Sequence, residues 1–419
     1  MKRLRSVGVS LAILSITALV VVATIFVAHK IADGFGTRGM TLQADLRYDE
    51  ALEAYTRALR LDPFNWRWRY YEALIYIERG DTARATEALS SATSANPDLA
   101  LAWWRLAEIA FKEGRRDAAE KSYARAASEP ALAAYVQRGR ARIAGTPVAA
   151  AQAYKPPRDP MLDALADIST NPVFLIRQAS MIDVMRDPQR REQLVRRAVE
   201  TNPRDPDVVY EMGSLLQQLR RPKEALEYFT RHLDMVEDDQ QTLVQIGKCY
   251  TDLGRLDEAE SALRRGLALG DDAVGFYDLG VVLEHRGRDE EAEREYRRAV
   301  ELGPGLAAAR NNLGGLLART GRNAEAKTLL SESIRLDPTS PDAYTNMSAL
   351  LLNEGAFADA AKYARLALEA NPRHADAHVN LGVALAQTGD IDGARRELEA
   401  ALKIDPRHEN ARKNLEALR

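Results

Sequence analysis

The chain of 419 residues contains a single cysteine, Cys249. An internal disulfide and a four-thiolate metal site are therefore both excluded, and beside Gly247 and Tyr250 this thiol reads as a packed, inert core group. Excess charge of one sign is also missing: 58 Lys and Arg stand against 61 Asp and Glu, a formal net charge of −3. No basic domain draws the chain to nucleic acid or anionic lipid, and charge of both signs describes a solvated helical surface. A glycine-rich phosphate loop and a nucleophile elbow are absent, and carboxylates are spread as helix-face partners of Arg and Lys. Aromatic residues make up only 6% of the chain, and its four tryptophans, Trp66, Trp68, Trp103 and Trp104, fall in one region.

Long uncharged runs are scarce as well, with one exception. Val7 to Ala28 is a run of 22 residues without charge, which as a helix spans about 33 Å against a bilayer core of about 30 Å. The run lacks the polar stripe of a buried core helix and is expected to cross a membrane. A cleaved signal peptide has a shorter apolar region and small residues at the cut; Phe26-Val27-Ala28 puts a bulky Phe there, and Val21-Val22-Ala23 fits only moderately. Retention as an anchor over 7–28 is expected. Lys2, Arg3 and Arg5 precede the span, which places residues 1–6 in the cytoplasm and the rest of the chain on the extracytoplasmic side of an inner, cytoplasmic membrane.

What the sequence does have is a period. Gly213, Gly247, Gly280, Gly314 and Gly382 recur every 33 or 34 residues, or twice that; Ala225, Ala259, Ala292, Ala326, Ala360 and Ala394 form a second register; Pro304, Pro338, Pro372 and Pro406 form a third. Such a period marks stacked repeats, each burying its apolar face only against its neighbours. The first glycines and the alanines read as close crossing points of two helices. Gly80, Gly114, Gly254, Gly287, Gly321, Gly355 and Gly389 lie between amphipathic stretches and read as helix-ending glycines. The prolines stop the second helix of each unit.

This pattern resembles the tetratricopeptide repeat (TPR) family. The unit at 273–306 reads Leu279-Gly280, Gly287, Ala292, Tyr296, Ala299 and Pro304; the unit at 375–408 reads Leu381-Gly382, Gly389, Ala394, Leu398, Ala401 and Pro406. Trp103, Leu106, Ala107, Gly114, Ala119, Tyr123 and Ala126 fit the same frame. The resemblance implies an all-α, right-handed solenoid of antiparallel helix pairs, preceded by one transmembrane helix. Ala51, Tyr55, Ala58 and Pro63 give a second helix whose first helix is poorly patterned, 172–205 is a degenerate unit, and Asn410 to Leu418 begins a capping helix. The period breaks at 131–171, where Gly145-Thr146-Pro147 and Lys155-Pro156-Pro157-Arg158-Asp159-Pro160 oppose helix and central strand. The expected organisation is a repeat block at 32–143, an irregular connector at 144–171 and a second block at 172–419. Whether the connector is a flexible joint or an ordered loop stays open.

By resemblance, the first helices of TPR units line a concave groove. One groove position holds Asn312, Asn346, Asn380 and Asn414 in consecutive units, preceded by Gln245 and Asp278, and Asn311 lies beside it. A row of amides can satisfy the C=O and N–H groups of an extended peptide whatever its sequence, as in the similar asparagine ladder of protein O-linked N-acetylglucosamine transferases. The other reading is that each amide bonds only its neighbouring helix. The Lys and Arg set with which chaperone-binding TPR domains clamp a carboxylate is missing here. In the first block Arg67, Tyr70, Trp104 and Arg105 are expected to face the groove as aromatic and guanidinium anchors. That cluster also suits a lipid interface, sugar stacking or plain packing within the hairpins. His374, His378 and His408 have spacings compatible with a metal but occupy loops and a helix start, where exposed histidine is routine. No metal, cofactor or catalytic residue is expected.

These readings converge on a non-enzymatic, membrane-anchored scaffold at a bacterial envelope that binds a protein or extended peptide, with no nucleic-acid partner. The alternative is an accessory or assembly factor of an envelope polysaccharide or export system. A weak likeness to repeat segments beside envelope polysaccharide polymerases points that way.

Overall fold

Short polar side chains set where the helices begin. Asp81 accepts from the Arg84 N–H, Asp239 from Thr242, Asp272 from Gly275 and Asp390 from Gly393, while the rings of His374 and His408 accept from Ala377 and Ala411. Each satisfies an N–H that the first turn leaves unbonded. Several uncapped starts carry instead an Arg paired with a Glu three residues on, as in Arg221–Glu224, Arg255–Glu258, Arg288–Glu291 and Arg322–Glu325. The second glycine of each unit has φ between 69° and 92° at Gly80, Gly114, Gly254, Gly287, Gly321, Gly355 and Gly389. A Cβ there would meet nothing within 4 Å, so backbone conformation alone demands glycine. Pro304, Pro338, Pro372 and Pro406 each follow directly on a helix C-cap.

The computed structural model describes residues 2–145 and 156–418, with side chains from residue 20 onward. Among the described residues the fold is all-helical, a TPR-type solenoid built of antiparallel pairs. It divides into two compact units, Met1–Leu219 and Arg220–Arg419.

The first unit holds α1 (Lys2–Ala44), α2 (Tyr48–Leu61), α3 (Trp66–Glu78), α4 (Thr82–Ala95), α5 (Ala100–Lys112), α6 (Arg116–Ala126), α7 (Ala133–Ile143), α8 (Pro160–Ile168), α9 (Pro172–Met181), α10 (Pro188–Thr201) and α11 (Pro206–Gln218). Hairpins form from α1 and α2, α3 and α4, α5 and α6, and α9 and α10. The second unit holds α12 (Pro222–Met235), α13 (Gln240–Asp252), α14 (Leu256–Leu267), α15 (Ala273–His285), α16 (Asp289–Leu302), α17 (Ala307–Arg319), α18 (Asn323–Leu336), α19 (Pro341–Asn353), α20 (Phe357–Ala370), α21 (Ala375–Gln387), α22 (Ile391–Ile404) and α23 (Glu409–Ala417). Hairpins pair α13 with α14 and so on to α21 with α22, and α23 packs on α22.

The glycine and alanine registers are contact points. A Cβ on Gly247, Gly314 or Gly382 would lie 2.5–2.8 Å from Leu263, Leu330 or Leu398 of the paired helix, and one on Gly280 would lie 2.6 Å from the Tyr296 ring. Ala225, Ala259, Ala292, Ala326, Ala360 and Ala394 are wholly buried. Close helix crossing tolerates only these small residues.

Three features depart from the sequence expectation. First, α1 runs unbroken for 43 residues from the apolar run into the first hairpin, so the poorly patterned first helix is the end of α1. Its contact face is Ala32, Gly36, Gly39, Leu42 and Gln43, all buried. A Cβ on Gly36 would meet the Trp68 ring at 2.2 Å and one on Gly39 the Tyr55 ring at 2.5 Å. Small residues carry this interface, which is why a pattern of large apolar residues is missing. Second, 160–168 is helical, because Pro160 occupies the first helical position, where its missing N–H is not needed, and Asp159 caps the turn through the Met161 N–H at 3.0 Å. Third, the compact units divide after Leu219 rather than within 144–171. The proline-containing stretch at 146–155 lies outside the described residues, whereas Pro157 and Asp159 are buried within the first unit.

Where side chains of the uncharged run are described, its large apolar residues are exposed: Val20, Val21, Val22, Ile25, Phe26 and Val27 are 50–65% exposed. By length and composition Val20–Ala44 suffices to cross a membrane. The side chains of the earlier part of the expected 7–28 span lie outside the described residues.

Candidate functional site

The second unit carries the amide row on successive first helices. Asn312 (α17), Asn346 (α19), Asn380 (α21) and Asn414 (α23) are all partly exposed, as is Gln245 on α13. Their amide N–H groups reach into the stack. Asn346 Nδ2 donates to Asn311 Oδ1 at 2.9 Å, Asn380 Nδ2 to the Thr345 carbonyl at 3.1 Å, and Asn312 Nδ2 to Tyr296 Oη at 3.4 Å. Asn414 Nδ2 donates to its own helix at the Asn410 carbonyl, 2.9 Å away. Asn311, only 7% exposed, donates in turn to Asn312 Oδ1 at 3.2 Å. Among the described residues no donor reaches Oδ1 of Asn346, Asn380 or Asn414. Each therefore clasps a helix with one N–H and leaves its carbonyl oxygen and second N–H without a protein partner.

A groove of about 360 Å³ opens here, lined by Tyr296, Asn312, Gly315, Asn346, Ala349 and Asn353. Gly315 lies beside the Asn346 amide, 3.3 Å from where a Cβ would stand, which keeps it uncovered. Asp278 holds the preceding place in the row. It is 9% exposed and its Oδ2 has no protein partner. Burial pushes its carboxyl up to about 7, against the pull of Lys248.

The first unit places its candidates differently. Tyr70, from α3, is 1% exposed and donates to Asp159 Oδ2 at 2.7 Å; Arg105, from α5, donates to Tyr70 Oη at 2.8 Å and to Asp159 Oδ2 at 2.6 Å. Burial raises the Tyr70 hydroxyl far above its ordinary range. Burial also opposes the charge of Arg105, but Tyr70 and Asp159 hold the guanidinium protonated. Trp104 is 4% exposed and meets the Tyr135 ring of α7 edge-on at 6.5 Å. Thus the aromatic and guanidinium anchors are brought together, but their hydrogen bonds and packing go to Asp159 and α7 of the same chain. Arg67 stays exposed over the Trp68 ring at 5.6 Å. Trp103 donates from its indole to the Pro97 carbonyl at 2.9 Å, a packing role.

Beside the Tyr70–Arg105–Asp159 cluster lies a cavity of about 760 Å³ whose walls include Leu74, Ile77, Tyr135, Phe174 and Met181. Sequence reasoning missed Asp159 as the hub of this site. The Asp-Pro step that caps α8 was its only local signal.

The three histidines do not converge. His374 Nε2 pairs with Asp342 at 2.9 Å, His408 Nε2 with Asp376 at 3.0 Å, and His378 with Glu397 at 2.7 Å. Among the described residues no three His, Cys, Asp or Glu side chains gather as metal ligands. Cys249 is fully buried, and burial pushes its thiol up to about 12.

Comparison with known proteins agrees with this architecture. A tetratricopeptide repeat family model matches residues 37–99, 245–307, 294–341 and 347–409, a second matches 76–143, and a model described as anaphase-promoting complex, cyclosome, subunit 3 matches 189–266. The photosystem I assembly protein Ycf3 of Cyanophora paradoxa is 37% identical over 83 residues, 19% of this chain and 48% of that protein. The tetratricopeptide repeat and J domain-containing co-chaperone DNJ1 of Fusarium oxysporum is 33% identical over 96 residues, 23% of this chain and 18% of that protein. The chain thus spans about half or less of these curated relatives. Among solved structures, the APC/C hetero-tetramer Cut9-Hcn1 is similar at a TM-score of 0.51 and 13% identity, covering 90% of this chain and 94% of that one, a likeness of fold alone. With repeat models spanning more than half of its length and the same hairpin built again and again along it, the chain belongs to the tetratricopeptide repeat family.

Proposed function

We propose that the protein is a non-enzymatic scaffold, anchored by α1 in a bacterial inner membrane, that holds an extended segment of a partner protein in the groove of its second unit. The observation that carries this reading is the half-used amide row. Asn346, Asn380 and Asn414 each retain a carbonyl oxygen and an N–H at one-repeat spacing, and Asn346 opens with Asn312 onto the groove beside Gly315 and Ala349. Asn312 and Gln245 extend the row, Asn311 supports it, and main-chain groups of a partner suit it best. Each neutral hydrogen bond adds about 0.5–1.5 kcal/mol. Arg67, and the cavity beside Tyr70, Arg105 and Asp159, offer a second, more specific contact in the first unit. The positive residues ahead of the span favour an extracytoplasmic solenoid.

A second reading, an assembly factor for a membrane-bound export or polysaccharide system, draws support from the likeness to proteins described as photosystem I assembly proteins. Both readings meet the same experiment. The intact protein is crosslinked in its native membrane, and partners are compared between wild type and the Asn346→Ala, Asn380→Ala double variant. Loss of one protein partner supports groove binding; an unchanged set of partners overturns it. A surviving glycan or synthase crosslink selects the second reading.

A further inference from the structure

The uncovered loop between α2 and α3 is a surface without an occupant inside the protein. Phe64 at its tip is 83% exposed, the highest value among the aromatic side chains of the described residues, and Leu61 at the end of α2 is 41% exposed. The loop is held against α1 at one defined height. His29 Nδ1 lies 2.9 Å from Asp62 Oδ2, and Asn65 Nδ2 donates to the same oxygen at 3.0 Å. His29 is the first ionisable residue after the uncharged run that ends at Ala28. Phe64 is two residues from Asp62, within about 7 Å along the chain.

The joint between loop and helix is stiff. Gly36 and Gly39 seat α1 directly on the rings of Trp68 and Tyr55, and Tyr55, Trp68 and Tyr71 stack on one another at 6.1–6.2 Å. The loop therefore keeps its height relative to α1. Lys30, Arg60 and Arg67 are exposed on the three segments that meet there.

We propose that the Pro63-Phe64 tip is a membrane-interface wedge: Phe64 enters the interfacial layer of the bilayer that α1 crosses, with the neighbouring cations at phosphate level. This rests on the anchor reading of α1. If the apolar run fills the hydrocarbon core, His29 sits at its edge, and the interfacial layer beyond, about 5–7 Å deep on each side, takes in the tip. Aromatic and cationic side chains are the residues favoured in that layer. The consequence is orientation: the first hairpins lie down on the membrane at a fixed angle instead of swinging from the anchor.

The test uses the full chain in vesicles of equal parts phosphatidylcholine and phosphatidylglycerol, with bromine on the acyl chains. Phe64→Trp and Ile25→Trp are compared with wild type, so that only the added indole is read. The proposal expects both indoles to shift to the blue and lose emission to the brominated lipid, with little loss to aqueous acrylamide. If Ile25→Trp is quenched by lipid while Phe64→Trp is quenched only from water, the anchor stands and the wedge is overturned. If neither is quenched by lipid, the anchor reading fails and takes the wedge with it. A Phe64→Ser variant gives a second readout, since removing the wedge is expected to speed proteolysis of the loop in vesicles and leave its rate in detergent unchanged. Equal rates in vesicles for Phe64→Ser and wild type would likewise overturn the wedge.

Discussion

The two units solve one packing problem with different materials. In the first, hairpins close on rings: Tyr55, Trp68 and Tyr71 stack, and Gly36, Gly39 and Gly139 sit under aromatic faces. Its polar residues are spent internally, with Tyr70 and Arg105 bound to an aspartate from the stretch that interrupts the period. In the second, hairpins close mostly on Leu and Ala, the period is unbroken, and the first helices carry amides that are only half used. In one unit the polar side chains of this cluster bond the protein's own chain, and in the other the amides keep donors and acceptors without a protein partner. An aromatic and guanidinium cluster therefore does not by itself mark a free site; what matters is whether the rest of the chain supplies a carboxylate.

All four tryptophans lie in the first unit, so tryptophan emission, excited at the red edge where tyrosine does not absorb, reports that unit alone while far-UV circular dichroism reports both. The sharpest break in the comparison is Asp159→Ala. It leaves the Arg105 charge buried without its carboxylate and is expected to destabilise the first unit by about 3–5 kcal/mol, lowering the fluorescence-monitored urea midpoint and sparing the later circular-dichroism change. Pairing Asp159→Leu with Arg105→Met should recover most of the loss. If Asp159→Ala leaves the midpoint in place, the cluster is not what holds that stretch.

The next effect belongs to the second unit and has the opposite sign. Asp278 has a folded-state value of about 7, above its value of 3.8 when unfolded. The folded state then binds the extra proton between these values, so stability falls as pH rises from about 4 to about 7 and stays level above. Asp278→Asn removes the penalty. It should stabilise the second unit by up to about 4 kcal/mol near pH 8 and by nothing near pH 4, read by the circular-dichroism transition without a fluorescence counterpart. Equal gains at both values would refute burial as the cause.

Smaller again is the contrast between glycines. Gly39→Ala drives a methyl into a ring whose hydroxyl is fixed on Gln43 at 2.8 Å, and is expected to cost about 1–3 kcal/mol. Gly382→Ala meets Leu398 at 2.8 Å and the Ala394 carbonyl oxygen at 3.2 Å; a leucine side chain yields more readily than a fixed ring, so its cost should fall below that of Gly39→Ala. Equal costs, from urea unfolding of each variant, would mean that ring and leucine yield alike.

Repeat number, helix-ending glycines and hairpin contacts were legible because each depends on one residue type at a fixed spacing. The amide row was legible for the same reason. What stayed hidden depended on residues far apart in sequence. Asp159 meets Tyr70 across 89 positions, and no local pattern announces such a pair. The first helix of the first hairpin was hidden because Ala32, Gly36 and Gly39 carry its contact, and because it continues an apolar run that reads as a separate element. Trp104 fits a groove position in the repeat frame, yet α7, lying where the period breaks, covers it.

The smallest effects separate the two roles of the amide row. On stability alone, Asn346→Ala strands the buried Asn311 carbonyl oxygen and should cost about 1 kcal/mol. Asn380→Ala should cost a similar amount, since it frees the Thr345 carbonyl. Asn414→Ala removes only a bond to a carbonyl of its own helix at an exposed end, and should leave the urea midpoint unchanged. On partner binding the order changes, because each residue offers one carbonyl oxygen and one N–H. If the row grips an extended main chain, Asn414→Ala weakens capture about as much as Asn380→Ala while leaving stability untouched. If binding losses instead track stability losses, the amides are helix clasps and nothing more, and the openness of the second unit has another purpose.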